Sequence, residues 1–243
     1  MKTVPICRHQ QTGESRIACL RVGMLLADMI RLKVTAIGLA ILCASNGAVY
    51  FVLKKSMRPR RDMAETIAKI EQAPEPFVLV IGDSLTQNAK LPANICNHQI
   101  INAGVGGART SAFIPFAEEM SAKGIKPSLV VVALGLNDTV HNYETSFGPT
   151  YSLLLGDLPS TKVALATLAP VDLSGSNGKI IDPDKYKTVD AMIRSTALER
   201  HLPLIELGNI ENFQTVDGVH PTNDSYVKWK APMIEAIRKE VCD

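Results

Sequence analysis

Strand-length runs rich in apolar residues alternate with longer stretches in which apolar residues recur every three or four positions. The runs lie at residues 77–81, 99–103, 128–134, 162–168 and 202–206. Strands that are apolar on both faces are typical of parallel sheets covered by helices on either side. The pattern therefore predicts an α/β domain: a three-layer α/β/α sandwich with a five-stranded parallel sheet in flavodoxin-like order.

The stretches between these runs predict the helices. The apolar spacing indicates helices over residues 63–72, 111–122, 144–158, 184–201 and 225–241. Residues 91–96 suggest a single helical turn, and residues 169–181, rich in Gly, Ser and Asp, a loop. Residues 63–243 are therefore expected to form one domain.

A different pattern occupies the N-terminal arm. Residues 34–53 form an uncharged stretch of 20 residues between basic flanks, and a helix of that length spans about 30 Å, the thickness of a bilayer core. We expect a basic tail at 1–33, a transmembrane or signal-anchor helix at 34–53 and a basic linker at 54–62. A cleaved signal peptide and a buried helix are the alternatives.

The basic residues on either side of this segment bear on its orientation in the membrane. Four Lys and Arg precede the apolar stretch and six follow it within about 20 residues, a distribution that does not favour export of the following domain. Our expectation is a membrane-anchored protein with an extracytoplasmic, periplasmic domain, and secretion after signal cleavage is the alternative. The sequence predicts no oligomeric state.

Charge and cysteine content narrow the possible partners. Residues 1–61 hold 11 Lys and Arg against 2 Asp and Glu, whereas residues 62–243 hold 15 against 22. An acidic body argues against nucleic acid as a partner.

Cys96 and Cys242 lie in the body, and two unpaired thiols are favoured over a disulfide there. No metal-like Cys and His spacing occurs, so neither a metal nor a cofactor is predicted.

Four predicted turns that follow strands carry the polar groups needed for acyl transfer. In a parallel sheet these turns meet at one edge, where open α/β folds bind ligands. Ser84 can act as a nucleophile, His220 as its base and Asp217 as the group that orients the base. The backbone N–H groups of Ser84 and Gly104 and the side-chain amide of Asn137 are the candidate oxyanion hole.

The residues around these positions form four blocks in a recognisable order. They read Gly-Asp-Ser-Leu at 82–85, Asn-Ala-Gly at 102–104, Gly-Leu-Asn-Asp at 135–138 and Asp-Gly-Val-His-Pro at 217–221. The chain resembles the SGNH hydrolase (GDSL esterase/lipase) family in all four. The resemblance implies the same nucleophile, base, orienting carboxylate and oxyanion groups.

We therefore expect a serine hydrolase that cleaves carboxylic esters through an acyl-enzyme. Its substrate would be a small ester or an acylated glycan or lipid; no residue pattern indicates the acyl chain. An O-acyltransferase acting on a glycan and a non-catalytic membrane-anchored binding module are the alternatives. Taken alone, Ser84 would be interpreted as a helix N-cap and Asp83 as a turn residue.

Overall fold

The computed structural model of the chain describes residues 63–142, 146–159 and 162–242. The tail at 1–33, the apolar segment at 34–53 and the linker at 54–62 lie outside the described residues, so what is said of them above stays a prediction. Within the described ranges, no helix is both long and apolar enough to cross a bilayer.

A six-stranded sheet forms the centre of the domain, in the order β2-β3-β1-β4-β5-β6. The strands are β1 (Phe77–Gly82), β2 (Asn94–Ile95), β3 (His98–Gly104), β4 (Leu129–Ala133), β5 (Val163–Ala166) and β6 (Leu204–Ile205). All pairings are parallel except that of β2 with β3. All six residues of β1 are buried, as expected for a central strand covered on both faces. The predicted α/β fold and flavodoxin-like order of the parallel strands are confirmed.

The sixth strand corrects the prediction of five strands. Residues 91–96 were expected to form a helical turn, but Asn94 and Ile95 pair antiparallel with β3. The two-residue connection consists of Cys96 and Asn97, which both have positive φ angles, of 46° and 63°. Hairpin turns of this kind usually contain glycine, so the Cys-Asn pair gives no recognisable sequence signal.

Helices cover both sides of the sheet. They are α1 (63–71), α2 (Ser84–Asn88), α3 (Ile114–Ala122), α4 (Phe147–Asp157), α5 (Pro183–Glu199) and α6 (Asn223–Val241). The five long predicted helices are present with shifted ends, and α2 is an additional short one. Helix α6 buries Trp229, Met233 and Ile237, a four-residue spacing that places one face against the core.

Cys96 and Cys242 form a disulfide, which corrects the expectation of two unpaired thiols. The bridge joins the turn after β2 to the end of α6, where the two Cα atoms are 5.5 Å apart. The two cysteines are 146 positions apart in sequence, so their proximity depends on how α6 packs against the sheet edge.

Candidate active site

Three polar side chains from two distant segments meet at the carboxyl edge of the sheet. Ser84 Oγ lies 2.8 Å from His220 Nε2, although the residues are 136 positions apart. His220 Nδ1 lies 2.7 Å from Asp217 Oδ2. The hydroxyl, the imidazole and the carboxylate therefore form a continuous hydrogen-bonded chain.

The position of Ser84 follows from the end of β1. Asp83 is the N-cap of α2, and its Oδ1 accepts a 2.9 Å hydrogen bond from the Leu85 backbone N–H. Ser84 is the first residue of the helix, so its hydroxyl is not the cap and faces His220 instead. The interpretation of Asp83 as a turn residue agrees with this geometry.

Asp217 and His220 belong to a turn that is held by the side chain of Asp217. Asp217 Oδ1 accepts hydrogen bonds from the backbone N–H groups of Val219, at 3.0 Å, and His220, at 2.8 Å. Gly218 has a φ angle of 96°, which favours glycine. One carboxylate oxygen thus fixes the turn, and the other is directed at the imidazole ring.

A second side chain, which the sequence did not reveal, reaches the same carboxylate. Asn177 Nδ2 donates a 2.6 Å hydrogen bond to Asp217 Oδ2. Asn177 lies in the predicted 169–181 loop, where Gly, Ser and Asp show no periodicity that would single it out. Burial acts to raise the pKa of Asp217, but its hydrogen bonds with His220, Val219 and Asn177 outweigh burial and hold the pKa well below its usual range.

The candidate oxyanion groups differ in their availability. The Ser84 N–H stands at the first position of α2, where a helix provides no acceptor for it. The Gly104 N–H donates a 2.9 Å hydrogen bond to Asn102 Oδ1, so an oxyanion would have to share or replace that acceptor. Asn137 Nδ2 donates to the Ala108 carbonyl at 3.1 Å, and its contact with Asp83 Oδ2 is long, at 3.4 Å. One amide hydrogen of Asn137 is therefore only weakly held.

Two buried carboxyl groups lie behind these donors. Burial raises the pKa of Asp83 to about 6, although the Leu85 N–H and the nearby His220 oppose the rise. Burial also raises the pKa of Asp138, whose Oδ2 accepts hydrogen bonds from the backbone N–H and the hydroxyl of Thr110. Asp83 caps the turn into α2, and Asp138 joins the turn after β4 to Thr110.

The arrangement suits proton transfer from a hydroxyl. An imidazole that contacts a serine on one side and a carboxylate on the other can accept the serine proton, and the carboxylate stabilises the resulting imidazolium. Among the described residues, no group of three or more His, Cys, Asp and Glu side chains is placed to bind a metal ion.

Comparisons with solved structures agree with this fold. A GDSL-like lipase from Bacteroides thetaiotaomicron is 21% identical, with a TM-score of 0.57 over 74% of this chain and 98% of that one. An aryl esterase from M. smegmatis is 16% identical, with a TM-score of 0.56 over 68% of this chain and 100% of that one. A carbohydrate acetylesterase from Sinorhizobium meliloti is 17% identical, with a TM-score of 0.54 over 68% of this chain and 99% of that one.

Sequence comparison identifies the family. A search of curated proteins found no match. The family model of the GDSL-like lipase/acylhydrolase family matches residues 80–228, which include all four blocks and the Ser84, Asp217 and His220 cluster. A match over more than half of the chain shows membership, and the family supports an ester-bond hydrolase. The chain therefore belongs to the GDSL-like lipase/acylhydrolase family.

Proposed function

We propose that the protein is a serine esterase in which Ser84, His220 and Asp217 form the catalytic triad. The observation that carries the proposal is the 2.8 Å contact of Ser84 Oγ with His220 Nε2, on a ring whose Nδ1 contacts Asp217. Family membership supports the reaction class, and the hydrogen-bonded chain supports the assignment of roles.

The reaction begins when Ser84 Oγ attacks the ester carbonyl carbon while His220 Nε2 takes the hydroxyl proton. The negative charge that develops on the carbonyl oxygen is stabilised by the Ser84 N–H and by the weakly held amide hydrogen of Asn137. The Gly104 N–H joins them by sharing its hydrogen with Asn102 Oδ1. When the tetrahedral intermediate collapses, the bond to the alcohol breaks, His220 returns the proton to the alcohol, and an acyl-enzyme remains.

Water completes the cycle by the same steps. His220 takes a proton from water, the hydroxide attacks the acyl carbon, and the proton returns to Ser84 as the carboxylic acid leaves. A sugar hydroxyl in place of water would make the protein an O-acyltransferase. Quantifying free acid and acylated sugar, with and without an acceptor glycan, separates the two reactions.

We infer that the substrate is a small carboxylic ester or an acylated glycan. Two structural neighbours, an aryl esterase and a carbohydrate acetylesterase, support this range only through the fold that they share with this chain. A series of p-nitrophenyl esters of increasing acyl length, with acetylated xylan alongside, would define it.

The proposed location is outside the cytoplasm, with residues 34–53 as the membrane anchor. The Cys96–Cys242 disulfide supports this location, since disulfides persist mainly in oxidising compartments.

Hydrolysis of p-nitrophenyl acetate by the full-length chain tests the proposed activity. Ser84→Ala should abolish turnover while the thermal unfolding curve stays two-state. Ser121→Ala, which removes an exposed hydroxyl on α3, is the matched control and should keep wild-type turnover. Equal turnover by Ser84→Ala and wild type would refute the proposal.

A further inference from the structure

The Asp217 carboxylate is held from two sides, and only one of them belongs to the family blocks. Its Oδ2 accepts two hydrogen bonds, one from His220 Nδ1 at 2.7 Å and one from Asn177 Nδ2 at 2.6 Å. Asn177 comes from a separate loop, 40 residues earlier in the chain. The oxygen that orients the base is therefore itself oriented by a second donor.

The backbone fixes Asn177 against the same turn. Its N–H donates a 2.7 Å hydrogen bond to the Asp217 carbonyl oxygen, and the Gly178 N–H donates to the same oxygen at 3.2 Å. Asn177 thus contacts Asp217 through both its side chain and its backbone. The backbone contacts thus hold the Asn177 side chain next to the Asp217 carboxylate.

Asn177 belongs to a segment that we call the bracing loop (residues 172–178). This loop packs closely on the turn formed by residues 217–220. The Asp172 N–H donates a 2.8 Å hydrogen bond to the Gly218 carbonyl oxygen. Glycine is required at the contact, because a Cβ on Gly218 or Gly178 would fall on the Asp172 carbonyl oxygen. Asp172 Oδ1 accepts from the N–H and the hydroxyl of Ser174, which closes the loop locally.

We propose that Asn177 is a positioning residue of the active site: it holds the Asp217 carboxylate so that Oδ2 points at the His220 ring. This inference rests on the proposed function. Asn177 acts through Asp217 and takes no proton in the reaction.

Two physical effects follow from the contact. The amide restrains rotation of the carboxylate, so the ring keeps the orientation that directs Nε2 at Ser84. The amide also donates to the charged form of Asp217, which reduces the negative potential that the ring experiences. Without the amide, the Asp217 carboxylate loses one of the hydrogen bonds that lower its pKa, and its charge acts more strongly on the ring.

The other groups whose charges act on Asp217 and His220 are the same in wild type and in the Asn177 variants. Asp83 lies close enough to His220 to interact with its charge, and Tyr226 on α6 interacts with Asp217. Substitution at position 177 leaves both in place, so a change in the pH profile reports the Asn177 contact.

The test compares Asn177→Ala and Asn177→Asp with Ser176→Ala in the full-length protein. Ser176 is the exposed neighbour in the same loop and serves as the matched control. Asn177→Ala should lower kcat about tenfold, the cost expected for a hydrogen bond to a charged group, with KM unchanged. The acid limb of its kcat/KM profile should move to higher pH, because the carboxylate beside the ring loses a donor. Asn177→Asp keeps the shape without the donor and should lose at least as much activity at pH 8.

A proton NMR signal provides a readout that needs no substrate. The Nδ1–H resonance of His220, assigned by its loss in His220→Gln, reports the hydrogen bond between the ring and the carboxylate. It should shift in both Asn177 variants and stay in place in Ser176→Ala. An unchanged resonance together with a wild-type kcat and acid limb would overturn the inference, even if Ser84→Ala confirms the esterase.

The outcome remains decisive if one variant folds poorly. Thermal unfolding shows whether each variant is folded. If Asn177→Ala is not folded, the nearly isosteric Asn177→Asp replaces it in the comparison. If wild type hydrolyses no ester, the proposed function fails first, and a role for Asn177 in it fails as well.

Discussion

At the scale of single residues, Asp217 performs two tasks because its two oxygens face different partners. Oδ1 accepts the backbone N–H groups of Val219 and His220, and this fixes the turn before any substrate binds. Oδ2 contacts the ring of His220 and also accepts the amide hydrogen of Asn177. A spacing of three residues between carboxylate and imidazole makes both sets of contacts possible within one turn.

Asn137 offers a direct test of the oxyanion site. Asn137→Ala should lower kcat by about 10² to 10³, because one preorganised donor to the developing charge is lost. Asn209→Ala, which removes an exposed amide after β6, is the control and should keep wild-type kcat. Steady-state ester hydrolysis measures both variants. A kcat for Asn137→Ala close to wild type would exclude the amide from the oxyanion hole.

The raised pKa of Asp83 predicts that this residue makes the free energy of unfolding depend on pH. Its pKa is about 6 in the folded chain, against about 4 for an ordinary Asp in an unfolded chain. Between these values the folded state binds more protons than the unfolded state, so this group lowers stability as pH rises from 4 to 6. Well above pH 6 the ionised carboxylate lowers the free energy of unfolding by its full amount, about 3 kcal/mol.

The variant Asp83→Asn removes this pH-dependent cost while its amide oxygen can still cap α2. Urea unfolding at pH 4 and pH 8 should show the variant gaining on wild type as pH rises. A difference between the two proteins that is the same at both pH values would contradict the buried, protonatable state of Asp83.

At the scale of elements, the short helix α2 is held to strand β3 by one side chain. Asn102 Nδ2 donates to the carbonyl oxygens of Thr86, at 2.7 Å, and Ala89, at 3.1 Å. The same side chain accepts the Gly104 N–H. The helix that carries Ser84 is thus fixed at its C-terminal end by β3 and at its N-terminal end by Asp83.

Gly104 tests how closely these two elements must approach. A Cβ at position 104 would fall on the backbone of Gln87 in α2. Gly104→Ala should therefore displace α2, lower the free energy of unfolding by about 1–3 kcal/mol and reduce kcat.

Gly156→Ala is the matched control, since a Cβ there meets no atom within 4 Å and the residue lies in α4. It should leave stability unchanged or raise it by up to about 1 kcal/mol. Denaturant unfolding and ester hydrolysis measure both variants. Equal stability for the two variants would show that the contact between α2 and β3 is not tight.

The sequence allowed the long helices and the parallel strands to be predicted because each is an extended hydrophobic pattern. Strand β2 was missed because two residues carry no periodicity. Asn177 was missed for a related reason: its importance lies in a contact with Asp217 across 40 positions, and nothing in its own loop indicates that contact. Ser84, Gly104, Asn137, Asp217 and His220 could be proposed from the sequence because each stands in a recognisable block after a strand.

At the scale of the whole molecule, the Cys96–Cys242 disulfide joins the edge of the sheet to the last helix. It closes most of the described chain into a loop, so it restricts the unfolded state over a long span. The double variant Cys96→Ser, Cys242→Ser should lose about 2–5 kcal/mol of stability. Denaturant unfolding checks this, and a stability equal to wild type would contradict a structural role for the bridge.

The same bridge tests the proposed location. Protein taken from its native host and alkylated without reduction should yield a linked Cys96–Cys242 peptide. Recovery of both cysteines as alkylated thiols would argue against an oxidising compartment.

Labelling with a fluorophosphonate most directly tests the central claim that Ser84 is activated by His220. Peptide mapping of the labelled full-length chain should place one adduct on Ser84, with none in Ser84→Ala and much slower labelling in His220→Gln. No adduct in the folded wild-type protein, or an adduct at another serine, would contradict the account.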